Sequence, residues 1–217
     1  MSHLSLVKPL SHFHEERRHT DEVLLDSFGL AFTRGSVIEA AGPASSGRTA
    51  IALSLLARLT SVGEICAIVE CGNGFDPYSA VLAGVLLENL LWVRCGDDIE
   101  KAFMAADYLV QAKGFGAIWL NLSGLPHRKL RLVPRTYWYR YRTRIKETPT
   151  MLFVTADEHL TGSASQQSFE LTREEGAKWS GKGRFKLLRE LRINIHSRKD
   201  FYGGPLQARI KAVYEDV

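Results

Sequence analysis

The stretch Gly42-Pro-Ala-Ser-Ser-Gly-Arg-Thr49 has the residue types and spacing of a phosphate-binding loop, with one substitution at its key position. In G-x-x-x-x-G-K-[ST], backbone N–H groups cradle phosphates, the lysine reaches the β and γ phosphates, and the hydroxyl holds Mg²⁺. Gly42, Gly47 and the hydroxyl of Thr49 are present, with Ser45 and Ser46 between them, but Arg48 stands where the lysine belongs. A guanidinium is a broad planar fork and an ammonium a compact point charge. Arg48 is therefore suited to hold a phosphate and poorly shaped to follow a migrating phosphoryl group.

Hydrolysis would also need an acid at the end of a neighbouring apolar strand, where it orients Mg²⁺. The best candidate strand, Ala117-Ile-Trp-Leu-Asn-Leu122, carries Asn121 at that place. Asn offers a carbonyl oxygen and no charge to offset the metal. Both departures predict a degenerate nucleotide site with no catalytic residues.

A second group of residues suggests contact with nucleic acid or an acidic partner. Between His127 and Lys146 lie many cations and no acid until Glu147, with Tyr137, Trp138, Tyr139 and Tyr141 interleaved. Cations for phosphates and rings for base stacking are what single-strand binders use. The same stretch also reads as a helix opened by Pro134 that packs Trp138, Tyr141 and Ile145 inward. Its outer face would then present Arg135, Tyr137, Tyr139, Arg140, Arg142 and Arg144 to DNA or to a protein. Arg184, Lys186, Arg189, Arg192, Arg198 and Lys199 form another basic region, read as a solvated strand face. The tip Ser180-Gly-Lys-Gly183 is expected to be mobile.

The elements that must position these residues alternate. Strands are predicted at 36–41, 65–70, 90–94, 117–122 and 150–156, with helices at 48–61, 77–83 and 98–112 between them. Asp76 is a predicted N-cap followed by Pro77 at the first helical position. Such alternation calls for a parallel sheet covered by helices on both faces. Period-two patterns at 167–173, 187–197 and 206–214 predict antiparallel edge strands at the C-terminus. Residues 1–27 read as a polar arm or short solvated helix, and 28–217 as one domain. His3, His12, His14 and His19 fit a partner-binding arm better than a metal site, and no metal centre is predicted.

Gly42–Thr49, Cys66-Ala-Ile-Val-Glu-Cys-Gly-Asn-Gly-Phe-Asp-Pro77 and Leu90-Leu-Trp-Val93 together resemble the core of RecA-type recombinases in order and spacing. The resemblance is closest to the short RecA-like accessory proteins called ImuA, in which an arginine-bearing loop of this kind is familiar. It covers 35–123 well and 150–200 fairly. It implies a RecA-like P-loop α/β fold and adds Asp76 to the degenerate site. The position of the water-activating glutamate falls on Gly72, with Glu70 two residues earlier. The γ-phosphate sensor falls near Thr155 and Ala156. The DNA-binding loop after that strand shrinks to about 157–165. The resemblance thus implies a non-enzymatic accessory protein of DNA-damage tolerance, with nucleotide or phosphate bound weakly at most. Its implied partners are a translesion polymerase subunit (ImuB-like), RecA and single-stranded DNA, and self-association is compatible. Rival readings are a slow ATPase using Arg48 and Glu70, and a direct single-stranded DNA binder.

The 217 residues suffice for one domain with a substantial core, and 45% hydrophobic and 24% charged content are those of an ordinary globular protein. A net charge of +4 is compatible with acidic partners. Cys66, Cys71 and Cys95 lack metal-ligand spacing, and so sparse a set suggests reduced thiols and a cytoplasmic setting. No signal peptide or membrane-length apolar run is read.

Overall fold

The computed structural model describes residues 22–72, 74–175, 178–180, 187–198 and 206–211. A nine-stranded sheet forms its centre. Its strands are β3 (Val37–Ala41), β4 (Cys66–Glu70), β5 (Leu90–Arg94), β6 (Ala117–Asn121), β7 (Met151–Ala156), β8 (Gln167–Arg173), β9 (Lys178–Ser180), β10 (Leu187–Ser197) and β11 (Leu206–Lys211). The spatial order is β11-β10-β8-β3-β7-β6-β4-β5, and β9 pairs with β10. All pairs from β8 to β5 are parallel, whereas β9, β10 and β11 join antiparallel. The expected architecture therefore holds, with one correction. Gln167–Arg173 is an interior strand parallel to β3, because residues 157–166 carry the chain back across the sheet after β7.

Strand alternation divides the core in two. Ile38, Ile68, Trp119 and Phe153 face one cluster, while Val37, Val69, Leu120 and Leu152 face the other, as period-two side-chain direction requires. Helix α1 (Arg48–Thr60) covers the first face with Ile51, Ala52, Leu55, Leu56 and Leu59, which share one helical stripe. The short α2 (Pro77–Leu82) follows the cap Asp76, whose side chain accepts from Tyr78 N and Ser79 N.

On the second face, α3 (Ile99–Ala112) is capped by Asp98 and buries Ala102, Phe103, Ala106 and Val110. After the single turn α4 (His127–Leu130), α5 (Thr136–Ile145) packs on α3 through Trp138, Tyr141 and Ile145, the three positions expected to point inward. The Tyr141 hydroxyl donates to the Phe103 carbonyl at 2.7 Å, and the Phe103 and Trp138 rings lie edge to face at 5.0 Å.

The N-terminal boundary moves. Glu22–Leu25, expected within a polar arm or solvated helix ending at residue 27, is strand β1, paired antiparallel with β2 (Leu30–Thr33). Val23, Leu25 and Phe28 are buried in the first core cluster, so this hairpin belongs to the domain. The four N-terminal histidines and the 180–183 tip lie wholly or largely outside the described residues, as do Arg184, Lys186 and Lys199.

Candidate phosphate-binding loop

Strand β3 ends at Ala41 and α1 begins at Arg48, so Gly42–Gly47 is the turn between a buried strand and a helix N-terminus. Ser45 has φ 62° and Gly47 φ 95°. Left-handed residues set among ordinary ones turn successive N–H groups to one side and make an anion-binding concavity. A non-glycine residue there is strained, so Ser45 marks a shape the surrounding fold maintains. The first-turn N–H groups of α1 have no acceptor within the helix. A backbone contact imposes Gly42, and the left-handed backbone at φ 95° imposes Gly47. A Cβ on Gly42 would stand 2.3 Å from the Leu171 carbonyl oxygen, and one on Gly47 2.8 Å from Ile193 Cδ1.

Within the loop, Ser45 and Thr49 are exposed and Ser46 is buried. Ser46 Oγ has no hydrogen-bond partner among the described residues. Arg48 is only 7% exposed. Its Nη1 meets Asp157 Oδ1 at 2.5 Å, and the same oxygen accepts from Gly124 N at 3.2 Å. The cation of the loop is thus held by an acid that directly follows β7, the parallel neighbour of β3. From the sequence, Asp157 is only the first residue of a shortened loop. A signal exists, since it is an acid immediately after a buried strand, but choosing its partner requires the strand order.

The place expected for a metal-orienting acid is a neutral network. Trp119 Nε1 donates to Thr155 Oγ1 at 2.9 Å, and that hydroxyl donates to Asn121 Oδ1 at 3.1 Å. Ser123 N reaches the same Asn121 oxygen at 3.2 Å. Glu70, the carboxylate nearest to the missing glutamate, is fully buried and engaged. Gly74 N and Phe75 N donate to its Oε1 at 2.5 and 2.6 Å, and Trp92 Nε1 donates to its Oε2 at 3.1 Å. Asp76 is committed to its cap, where the hydroxyl and N–H of Ser79 hold its pKa below the ordinary value.

A cluster missed in the sequence lies across the neighbouring strand. Glu39 accepts from Leu160 N and Thr161 N at 2.6 and 2.9 Å and from Ser168 Oγ at 3.1 Å, while His159 Nδ1 lies 3.0 Å away. Burial pushes the Glu39 pKa up, but the His159 and backbone hydrogen bonds outweigh it and hold the carboxyl below 4.5. Both Ser168 Oγ and Glu39 approach the same imidazole nitrogen, so the trio lacks the two-sided arrangement of a nucleophilic triad. Beside Gly42 and Pro43 opens a cavity of about 740 Å³, whose lining includes Arg131, Arg135, His159, Glu170 and Arg198.

The residues expected to form a basic surface are largely engaged within the protein. Arg140 and Arg144 both reach Asp107 on α3, and Arg140 stacks over the Tyr137 ring at 4.3 Å. Tyr137 is itself half-buried against the second core cluster. Tyr139 and Arg142 bind the hydroxyl and carbonyl of Ser163. The segment has no acid of its own, yet packing supplies one from another helix. Arg135 remains exposed and faces the cavity.

Residues 20–122 match the family described as the RecA N-terminal domain. Protein RecA of a Picosynechococcus species is 41% identical over 96 residues, which is 44% of this chain and 27% of that protein. Protein RecA of Borrelia duttonii is 36% identical over 98 residues, again 27% of its length. The chain thus matches little more than a quarter of these curated relatives. The crystal structure of the RadB recombinase is similar with a TM-score of 0.59, covering 83% of this chain and 88% of that one at 14% identity. The fold is RecA-like. Within this RecA-like fold the strand–loop–helix order around Gly42–Gly47 is present, and Arg48, Asn121 and Glu70 are all engaged by other protein groups. Among the described residues no helix is long and apolar enough to cross a membrane, and no group of three metal-ligating side chains gathers.

Proposed function

We propose that this chain is a non-hydrolysing accessory protein of bacterial DNA-damage tolerance, of the ImuA kind, linking a translesion polymerase subunit to DNA or to RecA. The Arg48–Asp157 pair carries the reading: the cation that should follow the γ-phosphate is already neutralised by the protein. Asn121 supports it, because a neutral amide within a hydroxyl network gives Mg²⁺ no charge to bind. The RecA-like fold and the RecA relatives point to the DNA-repair setting. Two measurements test it. Purified protein with saturating ATP and Mg²⁺ should show no turnover, and deleting the gene should lower damage-induced mutation. Recombinase-like turnover abolished by Thr49→Ala, or unchanged mutagenesis, would sink the reading.

Direct single-stranded DNA binding is a second reading, favoured by the exposed Arg131, Arg135 and Arg198 around one cavity, which Asp157, Glu158 and Glu170 also line. It requires an affinity that falls steeply with salt.

A further inference from the structure

The loop retains what a short anion would use. Its first-turn N–H groups and left-handed residues form a cradle, and Ser46, one of the loop's residues, has a buried Oγ without a partner among the described residues. In such a cradle the backbone takes the α and β phosphates and residue 48 reaches the β and γ phosphates, so the γ-phosphate leans on it most. Here residue 48 is already taken. Asp157 Oδ1 sits 2.5 Å from Arg48 Nη1 and is held in place by Gly124 N. A γ-phosphate seeking Arg48 would meet a carboxylate of like charge at that place. Asn121 brings no charge that would recruit a metal to screen them.

We propose that Asp157 is a built-in anion that sets the ligand preference of the loop, which takes a nucleoside diphosphate and turns away the triphosphate. The inference rests on the reading of a non-hydrolysing loop. A diphosphate keeps the backbone cradle and forgoes only its β contact to residue 48, whereas a triphosphate brings its γ-phosphate against the Asp157 carboxylate that holds Arg48.

The test is calorimetric titration of the full chain with ADP and with ATP, both in EDTA, for wild type, Asp157→Asn and Asp157→Ser. Wild type should bind ADP at least about threefold more tightly than ATP. Either substitution should tighten ATP about tenfold, change ADP by less than about threefold, and so erase or reverse the order. The serine variant guards against a folding failure peculiar to asparagine. The proposal is overturned if wild type prefers ATP, if the ADP-to-ATP ratio is the same in the variants, or if neither nucleotide binds any of the three proteins at millimolar concentration. The two readings fail separately. ATP turnover by wild type with Mg²⁺ counts against the non-hydrolysing reading, whereas an unchanged ratio counts only against the role of Asp157.

Discussion

Arg140 Nε lies 3.0 Å from Asp107 Oδ1, across the contact between α5 and α3. Arg144 reaches the same oxygen, so one carboxylate restrains two guanidiniums. Asp107→Ala should leave those cations side by side and lower stability by about 1 kcal/mol, a modest figure because Arg140 is substantially exposed. Urea denaturation in low and high salt checks this. No change at low salt would show that solvent already screens the cluster.

Arg135 offers a cleaner probe of partner binding than its neighbours, because it is exposed and faces the cavity. Arg135→Ala should leave the melting temperature unchanged and weaken binding to DNA or a polymerase partner by about 1 kcal/mol or more. Tyr139→Ala and Arg142→Ala should also loosen the turn at Gly162–Ala164 through their lost bonds to Ser163. Equal binding by wild type and Arg135→Ala would move the surface elsewhere.

Gly47 should tolerate no side chain. At φ 95°, with a Cβ 2.8 Å from Ile193 Cδ1 and 2.9 Å from Ile210 Cδ1, Gly47→Ala combines backbone strain with overpacking. A loss of about 2 kcal/mol or more is expected. Thermal unfolding checks it, and a wild-type melting temperature would mean that the edge strands yield freely.

Restoring only the consensus lysine should not restore hydrolysis. Arg48→Lys places an ammonium beside Asp157 but leaves Asn121 neutral and Gly72 without a carboxylate. Turnover should stay at background, because each missing catalytic contribution is worth several kcal/mol. Activity in the single variant comparable with a recombinase would refute this account of the site.

Glu39 sets an acid limit on stability. Its pKa is lowered in the folded chain, so the stabilisation is complete above the unfolded value near 4.5 and is lost as pH falls through the lower folded value. Glu39→Gln should flatten the fall in stability below pH ~4.5 while lowering stability at neutral pH. Parallel pH profiles for the two proteins would show that Glu39 contributes nothing to it.

Local chemistry explains what the sequence disclosed. Asp76 announces a helix start because a cap works over three residues. Trp138, Tyr141 and Ile145 declare the inner face of α5 by spacing alone. The Arg48–Asp157 and Glu39–His159 pairs join residues more than a hundred positions apart, and only the adjacency of β3, β7 and β8 brings them together. The parallel setting of β8 was hidden for the same reason. An edge strand and an interior strand share period-two patterning, and only the crossover at 157–166 tells them apart.

The position of β3 also dictates when the loop can take shape. Val37 pairs with Leu152 on one side, and Ile38 with Gln167 on the other. A strand made early in synthesis therefore waits for both neighbours until most of the chain has emerged. Closing contacts over such spans is slow. The loop beginning at Gly42 draws its support from Ala156 and Leu171, so its geometry depends on strands made much later in the chain. A nascent chain stalled before residue 150 would carry the complete phosphate-loop sequence without the geometry that gives it meaning.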